Sequence, residues 1–201
     1  MPQMSATHAN AITAANRVRR LSAEDWAQAA LDMVAEQGLA AVGVEPLARR
    51  LGVTKGSFYW HFPSRDALLK AALERWEMAE QEKVFGSLEA IPDPRERLRQ
   101  LFLLVAHKAQ SHIIYSELLK AQDHPAVQPV IQRVSQRRLD YLIASFRQAG
   151  LGRSEARHRA RLTYAAYVGF LQLSLQLHQP RMQHQEFEDY VNHMIAVLIP
   201  G

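Results

Sequence analysis

The chain has 201 residues, of which 48% are hydrophobic and 22% are charged, and its formal net charge is +4 at pH 7. This composition excludes a disordered chain, and the length allows one domain or a small domain attached to a larger one. Cysteine is absent, which excludes disulfides, thiolate nucleophiles and cysteine metal sites. No window approaches the roughly 20 apolar residues of a membrane span, and the N-terminus lacks a secretory signal, so we expect a cytoplasmic protein.

The first part of the chain predicts a polar arm followed by a helix. Residues 1–20 contain Arg17, Arg19 and Arg20 and no acidic residue, which is typical of a mobile basic arm. Ser22 is a candidate N-cap, and the apolar residues after it recur at steps of three and four, which indicates an amphipathic helix. Gly38 is expected to end that helix in a left-handed conformation.

Two short helices and a long one are predicted next. The first covers residues 45–51, and Gly52 then allows a sharp turn. The second covers residues 54–62, where the four-residue spacing of Phe58 and Phe62 places both rings on its inner face. Pro63 ends it, and a longer amphipathic helix begins at residue 64 or 65.

The remainder of the chain also predicts helices. Their expected starts are Pro94, the pair His124-Pro125, and Ser154, whose helix runs to about residue 178; a last helix carries the apolar residues between Phe187 and Leu198. No segment alternates with a period of two, as a half-buried strand does. We therefore predict an all-α fold.

The turn region carries a specific motif, formed by Ala48, Gly52, Val53, Tyr59, His61 and Phe62 within residues 38–69. On these residues the chain resembles the N-terminal domain of the TetR family of transcriptional regulators. The resemblance implies a three-helix helix-turn-helix DNA-binding domain at residues 21–64, after the arm at residues 1–20. It also implies a larger helical bundle for effector binding and dimerisation at residues 65–201.

The second helix of a helix-turn-helix presents its N-terminal residues to base edges in the major groove. Lys55 can reach a guanine or a phosphate, Ser57 can bond several bases, and Gly56 removes a side chain where DNA must come close. Together with the family motif, this gives one DNA-facing set: Thr54, Lys55, Gly56, Ser57, Tyr59, Trp60, His61 and Arg65. Thr54 as a mere cap and Trp60 as half-buried packing remain alternatives, as does a solvated tail for the arm.

Glu45 departs from the family pattern, because relatives often carry a basic residue that contacts DNA at this position. A carboxylate there repels phosphate unless it accepts a hydrogen bond from cytosine N4. The role of Glu45 stays open at this point.

The C-terminal region offers weaker signals. The resemblance places the dimer contact on the last two long helices, here residues 164–176 and 190–198. Polar or aromatic residues on apolar segments are candidates for the effector site: His107, Tyr115, Tyr164, Tyr167 and Gln172. Asp189 and His193 have the spacing of two metal ligands on one helix but no evident third, so we predict no metal and no cofactor.

These observations predict a homodimeric repressor that binds a pseudo-palindromic double-stranded DNA operator and is released by a small-molecule effector. The sequence does not distinguish repression from activation, and it identifies neither effector nor operator. The alternative is a helical-bundle enzyme or small-molecule-binding module that retains a non-functional helix-turn-helix. No nucleophile, metal or phosphate motif supports an enzyme, and none is predicted.

Overall fold

The computed structural model of the chain describes residues 21–106, 109–178 and 182–199. The predicted arm at residues 1–20 and the predicted effector residue His107 lie outside the described residues. Within them the chain forms nine α-helices and no strand, which confirms the all-α fold. The helices are α1 Ala23–Gln37, α2 Val44–Arg50, α3 Lys55–Tyr59, α4 Arg65–Glu80, α5 Pro94–Ala106, α6 Ala109–Lys120, α7 Gln128–Gln148, α8 Arg153–Gln176 and α9 His184–Leu198.

The ends of α1 are those that the sequence predicts. The backbone N–H of Asp25 donates to Ser22 Oγ at 3.2 Å, and the backbone N–H of Ser22 donates to Asp25 Oδ2 at 2.7 Å. This reciprocal capping box satisfies two backbone donors at the start of the helix. Gly38 ends the helix with φ of +81°, and a short 3-10 helix, Leu39–Ala41, leads on towards α2.

The helix-turn-helix is held by a small aromatic core. Gly52 takes φ of +67° between α2 and α3, a conformation that costs other residues about 1–2 kcal/mol. Phe58 is fully buried and packs edge-on against Trp26, with ring centroids 5.4 Å apart, and Phe62 lies beside it. The inward orientation of Phe58 and Phe62 is therefore confirmed.

Several helix boundaries differ from the prediction. α3 ends at Tyr59 rather than at residue 62, and Trp60 and His61 follow it as turn residues. At Phe62 the helical conformation is disfavoured by Pro63, which follows it. α7 begins at Gln128, not at His124-Pro125, since residues 121–127 form turns that place Val127 N 2.9 Å from His124 O. Gly152, not Ser154, is the N-cap of α8.

α6 is a helix that the sequence reading did not separate from its neighbour. No glycine or further proline lies between Pro94 and Lys120 to mark a break, so this stretch offers no stop signal. The end of α8 at Gln176 lies close to the predicted end at about residue 178.

The helices pack around two hydrophobic clusters. The first joins the helix-turn-helix to the bundle, since it includes Trp26 of α1, Leu69 of α4, Tyr115 of α6 and Val134 of α7. The second lies between α5, α7 and α8 and is centred on residues such as Phe146. The first cluster thus extends across residues 64 and 65, the predicted border between domains. α4 belongs to this shared core and runs from the helix-turn-helix into the bundle.

Candidate nucleic-acid interface and ligand cavity

α3 and its flanks present most of their polar and aromatic side chains to solvent. Trp60 is 89% exposed and Tyr59 is 60% exposed, although large aromatic side chains are usually buried. Of the other residues in the predicted DNA-facing set, Thr54, Lys55 and Gly56 are exposed, and Ser57, His61 and Arg65 are partly exposed. The predicted set therefore lies in one short stretch of the chain, where each of its residues is exposed or partly exposed. Thr54 occupies the N-cap position without a capping side-chain hydrogen bond.

Glu45 and Lys55 form an ion pair between the first turns of α2 and α3. Both side chains are more than half exposed, so water screens the pair. The hydrogen bond from Lys55 lowers the pKa of the Glu45 carboxyl below its ordinary value. The carboxylate of Glu45 therefore pairs with the lysine that the sequence predicts to contact DNA.

The packing of the protein itself does not require a glycine at position 56. A Cβ added to Gly56 would approach only Thr54 Oγ1, at an ordinary contact distance of 3.6 Å. The φ of Gly56 is not positive either, since Gly38, Gly52 and Gly150 are the glycines with positive φ among the described residues. Nothing in the described fold therefore opposes the prediction that Gly56 leaves room for DNA.

Arg65 has partners within the protein. Its Nε donates to the carbonyl oxygen of Val42 at 2.6 Å, and its Nη2 donates to Leu39 O at 3.4 Å. These bonds fasten the first turn of α4 to the segment that precedes α2. Arg65 thus fixes the helix-turn-helix relative to α4, in addition to the phosphate contact that the sequence predicts.

A cavity of about 160 Å³ lies within the C-terminal helices. Apolar and aromatic side chains from α5, α7, α8 and α9 form most of its wall. Of the predicted effector residues, Tyr164 and Tyr167 line it. A cavity with apolar walls and a few polar groups is the usual form of a small-molecule site.

The other predicted effector residues do not line this cavity. Tyr115 is 1% exposed, and its hydroxyl is engaged with the hydroxyls of Ser135 and Tyr164, so it belongs to the core behind the wall. Gln172 lies on α8 but is not among the lining residues, because the inward face of this helix carries Tyr164, Tyr167 and Leu171 instead. The prediction that these two residues contact a ligand has no support from the geometry.

One wall of the cavity carries a buried ion pair that is not among the residues predicted from the sequence. Arg138 Nη2 of α7 lies 2.7 Å from Glu80 Oε2 of α4, and both side chains are less than 15% exposed. The guanidinium also lies over the ring of Tyr115, 4.3 Å from its centroid. Burial lowers the pKa of Arg138, but its interactions with Tyr167, Glu80, Tyr115 and Tyr164 together raise it above its ordinary value.

His112 and Tyr167 connect α6 to α8 at the edge of the same wall. His112 Nδ1 and the Tyr167 hydroxyl are 2.8 Å apart, and the second ring nitrogen of His112 approaches the carbonyl oxygen of Val105. Burial raises the pKa of Tyr167 to about 12, so its hydroxyl keeps its proton at neutral pH. The polar part of the cavity is therefore built on α4, α6, α7 and α8.

A signal for Arg138 is present in the sequence. Val134 and Leu142 belong to the apolar stripe of α7, and Arg138 lies four residues from each, so an arginine occupies an inward position. A charged residue on such a stripe is expensive to bury alone, which predicts an acidic partner on a facing helix. The identity of that partner, Glu80, depends on how α4 packs on α7.

Among the residues that the structure describes, no group of three or more histidine, aspartate or glutamate side chains could hold a metal ion. No helix in the same part of the chain is long and apolar enough to span a bilayer.

The fold and the exposed α3 define a helix-turn-helix protein. Residues 28–72 match the family described as "Bacterial regulatory proteins, tetR family". The resemblance to the TetR family is thus confirmed over these residues. The HTH-type transcriptional repressor KstR2 of Mycobacterium tuberculosis is 31% identical over 115 residues, which cover 53% of this chain and 56% of the relative. The chain spans about half the length of the curated relatives it matches.

Solved structures share the fold over most of the chain. A transcriptional regulator of Saccharomonospora viridis in complex with choline has a TM-score of 0.76 and 19% identity, covering 87% of this chain and 95% of that one. AibR in complex with isovaleryl coenzyme A and operator DNA has a TM-score of 0.68 and 17% identity, covering 89% and 98%. At these identities the likeness establishes the fold alone. The relatives named here are regulators rather than enzymes.

Proposed function

We propose that this chain is a transcriptional repressor that binds a double-stranded operator through α3. The observation that carries the proposal is the solvent exposure of Lys55 at the N-terminal end of α3 and of Tyr59 and Trp60 at its C-terminal end, while Phe58 of the same helix is buried. Because Tyr59 and Trp60 are adjacent, they form a contiguous exposed aromatic surface, and such surfaces mark interaction sites. The repressor KstR2 and the operator complex of AibR support this assignment.

We propose that the chain acts as a homodimer through α8 and α9. Leu162 and Leu173 of α8 are 60% and 47% exposed, and Val197 of α9 is 56% exposed. Leu162, Ala165, Gly169 and Leu173 follow a helical spacing, and the Cβ position of Gly169 meets nothing within 4 Å in the single chain. Such an apolar stripe suits close packing against the same stripe of a second copy. Two α3 helices would then read half-sites about 34–36 Å apart, or a multiple of that spacing.

The cavity is the proposed effector site. α4 joins it to the helix-turn-helix, because Glu80 lies at the cavity and Arg65, in the first turn of the same helix, bonds to Val42 and Leu39. A ligand that binds better when α4 is displaced would change the separation of the two α3 helices and lower the affinity for DNA. Other proteins of this fold have been solved with choline and with isovaleryl coenzyme A.

Fluorescence anisotropy with tiled DNA from upstream of the gene tests the DNA-binding proposal. We expect one tile that contains a palindrome to bind tightly in excess competitor DNA, with an affinity that falls steeply as salt rises. Lys55→Gln should weaken this binding about tenfold or more, whereas Arg157→Gln, which removes the same charge from the exposed surface of α8, should have little effect.

Two results would contradict the proposal. Equal binding by Lys55→Gln and the unaltered protein would show that α3 does not lie in the interface with DNA. Binding that is weak for every tile and indifferent to sequence would favour the alternative, a small-molecule-binding module with a helix-turn-helix that no longer reads DNA.

A further inference from the structure

The wall of the cavity is divided by polarity between its helices. Every lining residue from α5 and α9 is apolar or aromatic: Leu101, Phe102, Val105, Ala106, Phe187, Tyr190, Val191 and Met194. The charged lining residues are Glu80 of α4 and Arg137 and Arg138 of α7. A ligand that fills this space must therefore be apolar on one side and polar on the other.

The polar wall carries an excess of positive charge. Two carboxylates, Glu77 and Glu80, face three guanidinium groups on α7. Glu77 accepts two hydrogen bonds from Arg133, at 2.6 and 3.1 Å, and a third from Arg137 at 2.9 Å. Glu80 is shared between Arg138 and the hydroxyl of Ser111. Since the lining itself has one carboxylate and two guanidinium groups, its formal charge is +1, which favours an anion.

Thr163 adds an uncharged donor to this wall. Its side chain is 6% exposed and lines the cavity, yet its hydroxyl has no hydrogen-bond partner in the described part of the chain. A buried hydroxyl without a partner costs about 1–3 kcal/mol, so a ligand that accepts its hydrogen bond gains affinity.

The same arrangement disfavours a cation. The aromatic faces nearest the charged wall already contact an internal cation, since Arg138 lies 4.3 Å from the ring centroid of Tyr115 and 5.5 Å from that of Tyr167. The carboxylates are paired with arginine, so a ligand ammonium group would have to displace a guanidinium group.

The size and shape of the apolar side suit one aromatic ring. A volume of about 160 Å³ is close to the roughly 150 Å³ of an engineered protein cavity that binds benzene. Phe170 stacks on Tyr190 with centroids 5.1 Å apart and lies 5.8 Å from Phe187, which forms an aromatic surface for a further ring.

We propose that this cavity binds a small aromatic carboxylate, with its ring against α5 and α9 and its carboxylate against Arg137, Arg138 and Thr163. The inference rests on the proposed function only in naming the cavity as the effector site. The carboxylate competes with Glu80 for Arg138, so binding loosens one of the three ion pairs between α4 and α7, the others being those of Glu77 with Arg133 and Arg137. An aromatic acid is thus both the chemical match to the wall and a means of weakening the contact between α4 and α7.

Titration of the full chain with three probes of one skeleton tests the charge preference without DNA. The probes are phenylacetate, phenylacetamide and phenylethylamine, which are anionic, neutral and cationic at pH 7. Isothermal titration calorimetry should give a Kd for phenylacetate about tenfold or more below that for phenylacetamide, and phenylethylamine should bind weakest. Comparable binding of all three, tighter binding of the amine, or no binding of any probe at millimolar concentration would overturn the proposal.

Substitutions in the ion pair give a second test with effects of opposite sign. Glu80→Gln removes the competing carboxylate and should tighten phenylacetate binding several-fold. The double variant Glu80→Gln with Arg138→Gln removes both charges, which avoids the unpaired buried carboxylate of Arg138→Gln alone. It should lose the preference for phenylacetate over phenylacetamide while it still binds the amide. An unchanged preference in the double variant would overturn the role of Arg138.

Thr163→Val tests the contribution of the hydroxyl group to binding separately from that of the charged groups. It should weaken phenylacetate binding several-fold and leave phenylethylamine unaffected; equal losses for both probes would contradict a contact with the carboxylate. The titrations and the operator assay test separate proposals. Equal binding of the three probes would contradict the ligand class but not the binding of operator DNA. A chain that does not bind DNA but prefers phenylacetate would contradict the proposed function but not the ligand class.

Discussion

The carboxylate of Glu45 pairs with the ammonium group of Lys55, and this ion pair joins the first turns of the two helices of the helix-turn-helix. The pair places an acid within the surface that is proposed to face DNA. It also holds the lysine that is proposed to enter the major groove, so both consequences oppose DNA binding unless the carboxylate accepts a hydrogen bond from a base.

Glu45→Gln distinguishes these roles. If the carboxylate only repels phosphate and holds Lys55, the variant should bind operator DNA about two- to tenfold more tightly in fluorescence anisotropy, because one negative charge leaves the interface. If the carboxylate accepts a hydrogen bond from cytosine N4, the variant should bind more weakly and lose discrimination at one base pair. Glu155→Gln, an equal charge change on α8, is the control, and an unaltered affinity for both variants would remove Glu45 from the interface.

Gly56→Ala should affect folding and DNA binding in opposite directions. The new methyl group meets only an ordinary contact with Thr54, and alanine is a better helix former than glycine by about 0.8–1 kcal/mol. We therefore expect urea denaturation to show equal or greater stability, while affinity for operator DNA falls about tenfold or more. A variant that is stable and binds normally would show that DNA does not approach this backbone closely.

Glu77→Gln should destabilise the chain in a pH-dependent way. Hydrogen bonds from Arg133 and then Arg137 hold the pKa of Glu77 below its ordinary value. A carboxyl group whose pKa is lower in the folded chain stabilises it above the unfolded pKa of about 4.3, and this contribution disappears as the pH falls through the folded pKa.

The free energy of unfolding is therefore expected to drop by about 1–3 kcal/mol at pH 7 in this variant. The difference from the unaltered protein should shrink progressively below about pH 4. Urea denaturation across this range measures it, with Glu74→Gln as the control, because Glu74 is 54% exposed in a loose pair with Lys70. A difference that stays constant down to low pH would exclude the ionised carboxylate as its source.

Leu173→Glu tests the proposed dimer. Leu173 is 47% exposed in the single chain, so a glutamate there is compatible with the fold of one subunit but places charges against each other between two copies. Multi-angle light scattering at micromolar concentration should give a dimer for the unaltered protein and a monomer for the variant. Met78→Glu places the same charge on α4, at a residue that is 71% exposed, and should remain dimeric. A stable monomer without any substitution would exclude the proposed dimer at this concentration.

Local patterns in the sequence determined the helix-turn-helix. Gly52 is needed where the backbone turns with positive φ, and the four-residue spacing of Phe58 and Phe62 places both rings on the inner face of one short helix. Capping is equally local, since Ser22 and Asp25 lie one turn apart. Such features depend on neighbours within a few residues, so the order of residues in the sequence is enough to predict them.

The tertiary structure decided the partners that are far apart in the sequence. Glu45 meets Lys55 only because Gly52 folds α2 back against α3, and Arg65 reaches the carbonyl group of Val42 across 23 residues. Glu80 and Arg138 are 58 residues apart, and the packing of α4 on α7 determines that they meet. The sequence predicts that Tyr115 contacts the ligand, but burial places it in the core behind that pair. Helix periodicity shows which residues face inward, whereas the identity of the facing residue depends on how the helices pack.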